Sequence, residues 1–446
     1  MKLSQALRLS KLPRVALVGA GGKSTAMFFL ASELAKPVLL STTTHLALEQ
    51  LSLADYHYTF TSPDQIPWPA DEFPQGVVVV TGLADDAGRV QGVSAAVMDQ
   101  LFTVANSLSI PFIIEADGSR QLPVKAPAQH EPVIPEFVDT VVVMAGLSAL
   151  GKPLDEEWVH RPARYAELSG FALGAEITPD AYVRVLSHPD GGLKNLPAHV
   201  RRVVLLNQAD SLNLQAQAQA IAIKPFQGDQ LLAHYHSVVI AALQDSSVIA
   251  VHELVAAVIL AAGGASRFGV AKQLLLWHGE PLVRRAARTA LEAGLSPVVV
   301  VSGEHTADIR HALSDLDVWL VENPGWSTGQ STSIKAGLAV LPVETGAVIF
   351  LLADQPIVPA SLLQTLREVH SSSLSPIVAP LVDGQRANPV LFDRDTFTEL
   401  ASISGDIGGR PLFAKFPASW VPWHDSRLLL DIDTPEDYQS LLQSDA

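Results

Sequence analysis

Two segments of this 446-residue chain follow the same plan, in which a short apolar strand leads into a glycine-rich stretch and then into a helical pattern. The first begins near Arg14 and the second near Ala256. Such a unit builds sheets of parallel strands covered by helices. Its recurrence predicts two α/β domains, at residues 1–250 and 251–446. The chain length agrees, because it exceeds what one hydrophobic core usually supports.

The predicted strands are short and rich in Val, Ile and Leu, as strands buried on both faces should be. In the first domain they are Val15–Val18, Pro37–Leu40, Gly76–Val80, Pro111–Glu115, Thr140–Met144, Arg202–Leu206 and Val238–Ala242. In the second they are Ala256–Leu260, Pro297–Val301, Val318–Val321, Ala347–Leu352 and Ile377–Pro380. Helical patterns lie between them, so each domain is predicted to be a mostly parallel sheet flanked by helices.

Charge and composition exclude several classes of protein. A formal net charge of −16 repels a phosphate backbone, so we expect no nucleic-acid partner. The chain contains no cysteine, which excludes disulfides, thiolate metal sites and a cysteine nucleophile. No apolar run approaches the ~18 residues that a membrane span requires. We therefore expect a cytoplasmic protein that binds small molecules and no membrane.

The second glycine-rich stretch carries the strongest chemical signal. After the strand come small residues and then two cations, in the order Ala261, Ala262, Gly263, Gly264, Arg267 and Lys272. Small residues let the backbone approach a nucleotide, and exposed N–H groups bind phosphate oxygens. Arg267 can form a forked contact with phosphate, while Lys272 supplies a point charge. An ordinary turn is the alternative, but this fixed order after a buried strand favours a triphosphate site.

Two later aspartates are candidate metal ligands. Asp354 directly follows the strand Ala347–Leu352, at the sheet edge where such folds bind ligands. There it can hold Mg²⁺ against triphosphate oxygens, although a turn or helix cap would also use an Asp. Near the C-terminus, Asp431 and Asp433 offer a second ligand. Asp433 also fits the start of a helix, because Thr, Pro and Glu follow it.

Six ordered motifs in the second domain resemble a known family. They are LAAGGASRFGVAK (260–272), NPGWSTGQSTSIKAGL (323–338), LLADQP (351–356), RANPVLF (386–392), SGDIGGR (404–410) and DIDTPEDY (431–438). The domain resembles the molybdenum cofactor cytidylyltransferases of the MobA-like nucleotidyltransferase superfamily. The resemblance implies a Rossmann-like fold and Mg²⁺-dependent transfer of CMP from CTP to the phosphate of Mo-molybdopterin, with release of pyrophosphate.

The resemblance also implies roles for individual residues. The nucleotide would be held by Leu260, Ala261, Ala262, Gly263, Gly264 and Lys272. Catalysis would rest on Arg267, Lys272 and Asp354, with Asp354 as the metal ligand and Asp433, from its position near the C-terminus, as the candidate second one. The acceptor would contact Ser331, Ser333, Asn388 and Asp406. Ala262 favours CTP, because the guanylyl-transferring relatives read LAGG there. Guanylyl or other nucleotidyl transfer to another phosphorylated acceptor remains an alternative, as does a nucleotide-dependent cofactor carrier or chaperone.

The first glycine-rich stretch, GAGGKST, has the layout of a phosphate-binding loop. Its candidate contacts are Gly19, Gly21, Gly22, Lys23, Ser24 and Thr25. The amides and the helix N-terminus would face the phosphates, with Lys23 over them. The GxxxxGK[ST] spacing fails, because Leu17 stands in the place of the first Gly. We therefore predict a shortened loop that can bind ATP or GTP.

Two further strand ends support a nucleotide site in the first domain. PFIIEADGS (111–119) ends in carboxylates, of which Asp117 is a candidate metal ligand. VVLLNQAD (203–210) resembles the base-reading motif of GTPases, with Asn207 and Asp210 in place; a polar turn is the alternative.

Residues 10–210 as a whole resemble the YqeC-like accessory proteins of selenium-dependent molybdenum hydroxylases. This resemblance rests on GAGGKST, STTTHL (41–46), EADGSRQLPVKAPAQHEPVIP (115–135) and NQAD. It implies an accessory domain with a molybdenum hydroxylase as its client.

Overall fold

Each half of the chain is built around a sheet formed by the apolar runs of the sequence. The computed structural model describes residues 1–68, 73–86, 88–223, 230–263 and 271–443. The chain divides into two compact units, Met1–His252 and Glu253–Ala446. Helices cover both sheets, which confirms the predicted α/β class. In the described ranges, no helix is long and apolar enough to cross a membrane.

The sheet of the first unit consists of parallel pairs of strands. Its spatial order is Ser237–Ala242, Arg201–Asn207, Thr140–Gly146, Arg14–Gly19, Phe112–Glu115, Val38–Thr42, Val77–Thr81 and Tyr56–Thr59. Each predicted strand of this unit overlaps one of these, which confirms them. Arg14–Gly19 lies in the middle, so the glycine-rich loop after it emerges at the carboxyl edge, where ligands bind in such sheets.

Five main helices cover this sheet. They are Lys23–Glu33, Ala95–Ser107, Pro162–Ser169, Pro179–Ser187 and Leu212–Ile223. Two of them begin with a side-chain cap: the Ser94 hydroxyl accepts from the Val97 amide and the Thr178 hydroxyl from the Ala181 amide. These two helices therefore begin at a defined residue.

The sheet of the second unit is mixed. Its spatial order is Trp319–Glu322, Val298–Ser302, Ser247–Ala261, Thr345–Leu352, Val390–Asp393, Ile377–Val382 and Ala418–Pro422. Val390–Asp393 runs antiparallel to both neighbours, whereas the other pairs are parallel. The five strands predicted for this unit are confirmed, and Val390–Asp393 and Ala418–Pro422 are additional.

Both faces of this second sheet are buried. Ala257 and Ile259 belong to the hydrophobic core on one face, while Ala256 and Val258 belong to the core on the other. This alternation is the two-residue period of a strand. The covering helices are Leu282–Glu292, Thr306–Ala312, Gln330–Ala339, Ala360–Ser373, Phe397–Ser402 and Pro435–Gln443. Burial on both faces leaves the carboxyl edge as the place for polar side chains.

Candidate active site

A cavity of about 650 Å³ opens at the carboxyl edge of the second sheet. Its walls come from the end of the strand Ser247–Ala261, the segment 326–330 and the end of the strand Thr345–Leu352. Six of the residues predicted at the transfer site line it: Leu260, Ala261, Ala262, Gly263, Lys272 and Asp354. Gly264 and Arg267 lie outside the described residues. We call this space the larger cavity.

Lys272 joins two of the predicted metal ligands. Its Nζ lies 2.6 Å from Asp354 Oδ2 and 2.8 Å from Asp433 Oδ1. Burial lowers the pKa of Lys272, but Asp354 and Asp433 raise it by more, so the net pKa is above its usual value. Lys272 is therefore a stable cation that draws carboxylates from two distant chain segments to one point.

A third aspartate lies beside this pair. Gln355 donates its Nε2 to Asp431 Oδ1 and holds that carboxylate in place. Burial raises the pKa of Asp431, and the charges of Asp354 and Asp433 raise it further, against the hydrogen bond from Gln355. The edge of the sheet thus concentrates negative charge around a single lysine.

The donors at this edge suit Mg²⁺. Among the described residues, no group of three or more His, Cys, Asp or Glu side chains is arranged to hold a metal unaided. Asp354 and Asp433 converge on one ammonium and supply carboxylate oxygens. Mg²⁺ is usually bound by one or two carboxylates together with substrate phosphates and water. The residues present therefore fit a metal that arrives with a triphosphate.

The predicted acceptor residues separate into different places. Ser333 and Asp406 line the larger cavity, where Asp406 Oδ1 accepts from the Gln330 amide at 3.1 Å. Ser333 Oγ accepts from Asn323 Nδ2 at 3.0 Å. Ser331 is buried and lines neither cavity, whereas Asn388 lines a neighbouring space. Two of the four predicted acceptor residues thus line the same cavity as Lys272 and Asp354.

The neighbouring space, the smaller cavity, measures about 260 Å³. It shares Leu260, Gln330 and Leu352 with the larger cavity. Most of its other lining residues are apolar or aromatic, and the charged ones are Arg386, Arg410 and Asp431. Sequence reasoning missed both arginines, although each stands inside a motif that carries the family resemblance.

In the first unit, the glycine-rich loop is held by the protein's own acceptors. The Gly19 amide donates to both carboxylate oxygens of Asp117 at 3.0 Å. The Ala20 amide donates to the Met144 carbonyl and the Gly21 amide to the Leu122 carbonyl. The remaining candidate donors are in the first turn of the helix Lys23–Glu33, where amides have no intrahelical partner.

Lys23 is almost fully buried within this loop, with 3% of its surface exposed. Its Nζ donates to the Gly19 carbonyl at 2.7 Å and lies 3.3 Å from Asp117 Oδ1. Ser24 donates its hydroxyl to Glu115. A phosphate would have to draw Lys23 away from these partners, so nucleotide binding by the loop stays a prediction.

A chain of ion pairs extends from this loop. Lys125 Nζ lies 2.8 Å from Asp117 Oδ2 and 2.8 Å from Glu131 Oε2, and Arg161 contacts both oxygens of Glu131. Burial by itself raises the pKa of Glu131, but Lys125 and Arg161 overcome it and lower the pKa to about 2. Asp117, the predicted metal ligand, is thus already neutralised by two lysines.

The two predicted base-reading residues, Asn207 and Asp210, differ in their exposure to solvent. Asn207 is buried; it donates to the Gly21 carbonyl at 2.8 Å and accepts from the Leu243 amide at 3.1 Å. Asp210 is exposed. Thr25 follows Ser24 on the helix Lys23–Glu33. Asn207 therefore ties the glycine-rich loop to a neighbouring segment, and base reading stays a prediction.

We expect His160 to make the first unit sensitive to mild acid. Burial, then the charges of Arg161, Lys125 and Arg120, lower the pKa of His160 from 6.5 to about 4. Between these values only the unfolded chain binds the proton, so stability falls as the pH drops from about 6.5 toward 4. Thermal unfolding at pH 7 and pH 5 measures the loss. His160→Gln should reduce the difference in Tm; an unchanged difference would assign the effect to other groups.

A mixed α/β domain with a cavity at its carboxyl edge, where a lysine bridges two aspartates, fits the class of nucleotidyltransferases, and the family match of this domain assigns it to that class. The MobA-like NTP transferase domain matches residues 257–420 and the YqeC protein family matches residues 15–163. The chain belongs to the YqeC family through its first unit and to the MobA-like NTP transferase family through its second.

Individual relatives match one half of the chain each. The uncharacterized protein YqeC of Escherichia coli (strain K12) is 33% identical over 217 residues, which are 48% of this chain and 82% of that protein. Nicotine blue oxidoreductase of Paenarthrobacter nicotinovorans is 31% identical over 199 residues, 42% of this chain and 96% of that protein. The molybdenum cofactor cytidylyltransferase of Escherichia coli (strain K12) is 24% identical over 182 residues, 41% of this chain and 92% of that protein.

Proposed function

We propose that the second unit transfers CMP from CTP to the phosphate of Mo-loaded molybdopterin and releases pyrophosphate. The observation that carries the proposal is Lys272, bonded to Asp354 and Asp433 at the wall of the larger cavity. The end of the strand Ser247–Ala261 and the residues that follow it, Ala262 and Gly263, form another wall of the same space. Similarity to a molybdenum cofactor cytidylyltransferase over nearly its whole length supports the choice of substrates.

The reaction requires alignment and charge neutralisation more than covalent help from the protein. An oxygen of the acceptor phosphate attacks the α-phosphorus of CTP, and the bond from that phosphorus to the β-phosphate oxygen breaks, so pyrophosphate leaves. The backbone at 261–263 lies where it can approach the triphosphate. Lys272 supplies positive charge toward the leaving pyrophosphate. Asp354 and Asp433 would hold Mg²⁺, which when bound neutralises charge on the phosphate oxygens.

For the first unit we propose an accessory role in which a phosphate-bearing ligand, ATP or GTP, occupies the glycine-rich loop, with a molybdenum hydroxylase as client. The helix Lys23–Glu33 begins at this loop and offers its first-turn amides. The shortened loop and the ion pairs of Lys23 favour binding coupled to release of Lys23 from Asp117.

Sequence identity alone does not choose the reaction of the second unit. Nicotine blue oxidoreductase is more similar to this chain than the cytidylyltransferase is. The proposal therefore depends on the site, in which a lysine and two carboxylates fit phosphoryl chemistry. Guanylyl transfer and a slow cofactor carrier differ from it in the nucleotide used and in the turnover.

The decisive experiment is pyrophosphate release by the full chain with Mg²⁺ and Mo-loaded molybdopterin, with each of the four NTPs in turn. We expect CTP to exceed the others by at least about tenfold, because a site that hydrogen-bonds a base rejects other bases strongly. Omitting the acceptor is the control and should abolish release. Preference for GTP would change the assigned nucleotide. No release with any NTP would withdraw the transferase assignment and favour a carrier.

A further inference from the structure

Two arginines of the smaller cavity have no carboxylate partner. Arg386 and Arg410 both line it, and neither forms an ion pair within the described ranges. Arg284 is paired with Asp315 and Arg288 with Glu280, whereas Arg310 and Arg394, like Arg386 and Arg410, form no ion pair within the described ranges. What distinguishes Arg386 and Arg410 is that both line the same cavity. Asp431 lines it too, but its carboxylate accepts from Gln355 and forms no ion pair with either arginine.

One of the two arginines lies over an aromatic ring. The guanidinium carbon of Arg386 lies 4.2 Å from the centroid of Phe413, a cation–π distance. Phe413 in turn stacks on Trp420 at 5.7 Å. Arg410 is the first residue of the short helix Arg410–Ala414, which also carries Phe413. Aromatic packing therefore holds Arg386 in place without using its hydrogen-bond donors, and Arg410 lies on the segment that carries Phe413.

The two charges oppose each other. Burial lowers the pKa of Arg386, and the charge of Arg410 lowers it further. A guanidinium group nevertheless stays charged at neutral pH, so the two positive charges repel each other. A bound anion would reverse the sign of the interaction and would gain forked, charge-assisted hydrogen bonds.

The smaller cavity leads to the transfer site. It shares Leu260, Gln330 and Leu352 with the larger cavity, which holds Lys272 and Asp354. Nucleotidyl transfer to a phosphate brings two polyanions into contact, and each needs its own cation. Lys272 is placed for one of them, and the arginine pair is placed for the other.

We propose that Arg386 and Arg410 form the subsite that binds the phosphate group of the acceptor and turns it toward the larger cavity. The acceptor's identity rests on the proposed function; the requirement for a phosphate monoester rests on the arginine pair. Phe413 and the other aromatic residues of the smaller cavity would contact the apolar or ring portion of the same molecule.

The test is binding of a fluorescent pterin that carries a phosphate monoester, compared with the same pterin without phosphate, to the full chain. We expect the phosphorylated pterin to bind the wild type at least tenfold more tightly. Arg386→Gln and Arg410→Gln should each weaken its binding about tenfold, and Arg386→Lys should weaken it less. Arg310→Gln, a change of equal charge at an exposed residue that lines neither cavity, is the matched control and should bind as the wild type does.

Three results would overturn the subsite: equal binding of the two pterins, no binding of the phosphorylated one, or loss of CTP binding rather than pterin binding in the arginine variants. Its failure is distinct from failure of the proposed function. If no NTP supports pyrophosphate release but phosphopterin binding still depends on Arg386 and Arg410, the transferase proposal falls and the subsite stands.

Discussion

Asp354→Ala should reduce CTP-dependent pyrophosphate release by about 10²–10³-fold, the scale of losing one charge-stabilising group in a catalytic site. The variant removes one of two carboxylates bonded to Lys272 and one predicted Mg²⁺ ligand. Because the lost interaction concerns charge that develops on the phosphates, kcat and kcat/KM should fall together. Initial rates at saturating and limiting CTP, over a titration of Mg²⁺, measure both.

The matched control is Asp317→Asn, which removes an exposed carboxylate of the same unit outside both cavities. It should leave the rate within about twofold of the wild type, because isolated surface charges contribute little. If Asp354→Ala keeps a near-normal rate and a normal Mg²⁺ requirement, Asp354 is not a metal ligand. Its role would then be that of a residue in the turn after the strand.

Gly21→Ala should destabilise the first unit by at least about 4 kcal/mol, through strain and overpacking in a tightly fitted site. Gly21 has φ +84°, and a Cβ there would lie 2.2 Å from the backbone nitrogen of Gly146. Neither backbone can move freely, since the Gly146 amide and carbonyl are bonded to Pro123 and Tyr182. Hydrogen exchange of the strand Phe112–Glu115, followed by mass spectrometry, reports on this unit alone.

The variant Gly174→Ala separates the effect of backbone strain from the effect of overpacking. Gly174 has a similar φ of +77°, but a Cβ there would meet no atom within 4 Å. Only the left-handed backbone is then penalised, by roughly 1–2 kcal/mol. Equal losses in the two variants would show that the loop at Gly21 can relax, and that close approach to Gly146 is not what requires glycine.

The strands of the sheet interiors were predictable because burial on both faces leaves a continuous apolar run. Val77–Thr81 and Val298–Ser302 are examples, since almost every residue in them is Val. Tyr56–Thr59 was missed because it is a polar, largely exposed edge strand. Val390–Asp393 was missed because it inserts antiparallel between strands of the opposite direction, and that reversal has no local signature.

Site residues were predictable where they directly follow a strand. Asp354 and Ala261–Gly263 reach the larger cavity because parallel strands end at one edge. The bond between Lys272 and Asp433 joins residues far apart in the chain and depends on how the last helix packs, which local pattern does not specify. The placement of Arg386 and Arg410 in one cavity, with Arg386 over Phe413, is equally non-local.

The close packing of the loop Gly19–Gly21 against the backbone of Met144 and Gly146 affects what the GAGG motif can tell about a related sequence. Gly19 and Gly21 have positive φ, and a side chain on either would strike the backbone at Met144 or Gly146. The amides of this loop already donate hydrogen bonds to Asp117, Met144 and Leu122. Selection for a foldable first unit is therefore enough to retain these glycines, whatever the loop binds. The GAGG motif in a relative therefore indicates the same fold and not a particular ligand. The residues that correspond to Lys23 and Asp117 are the better guide to its ligand.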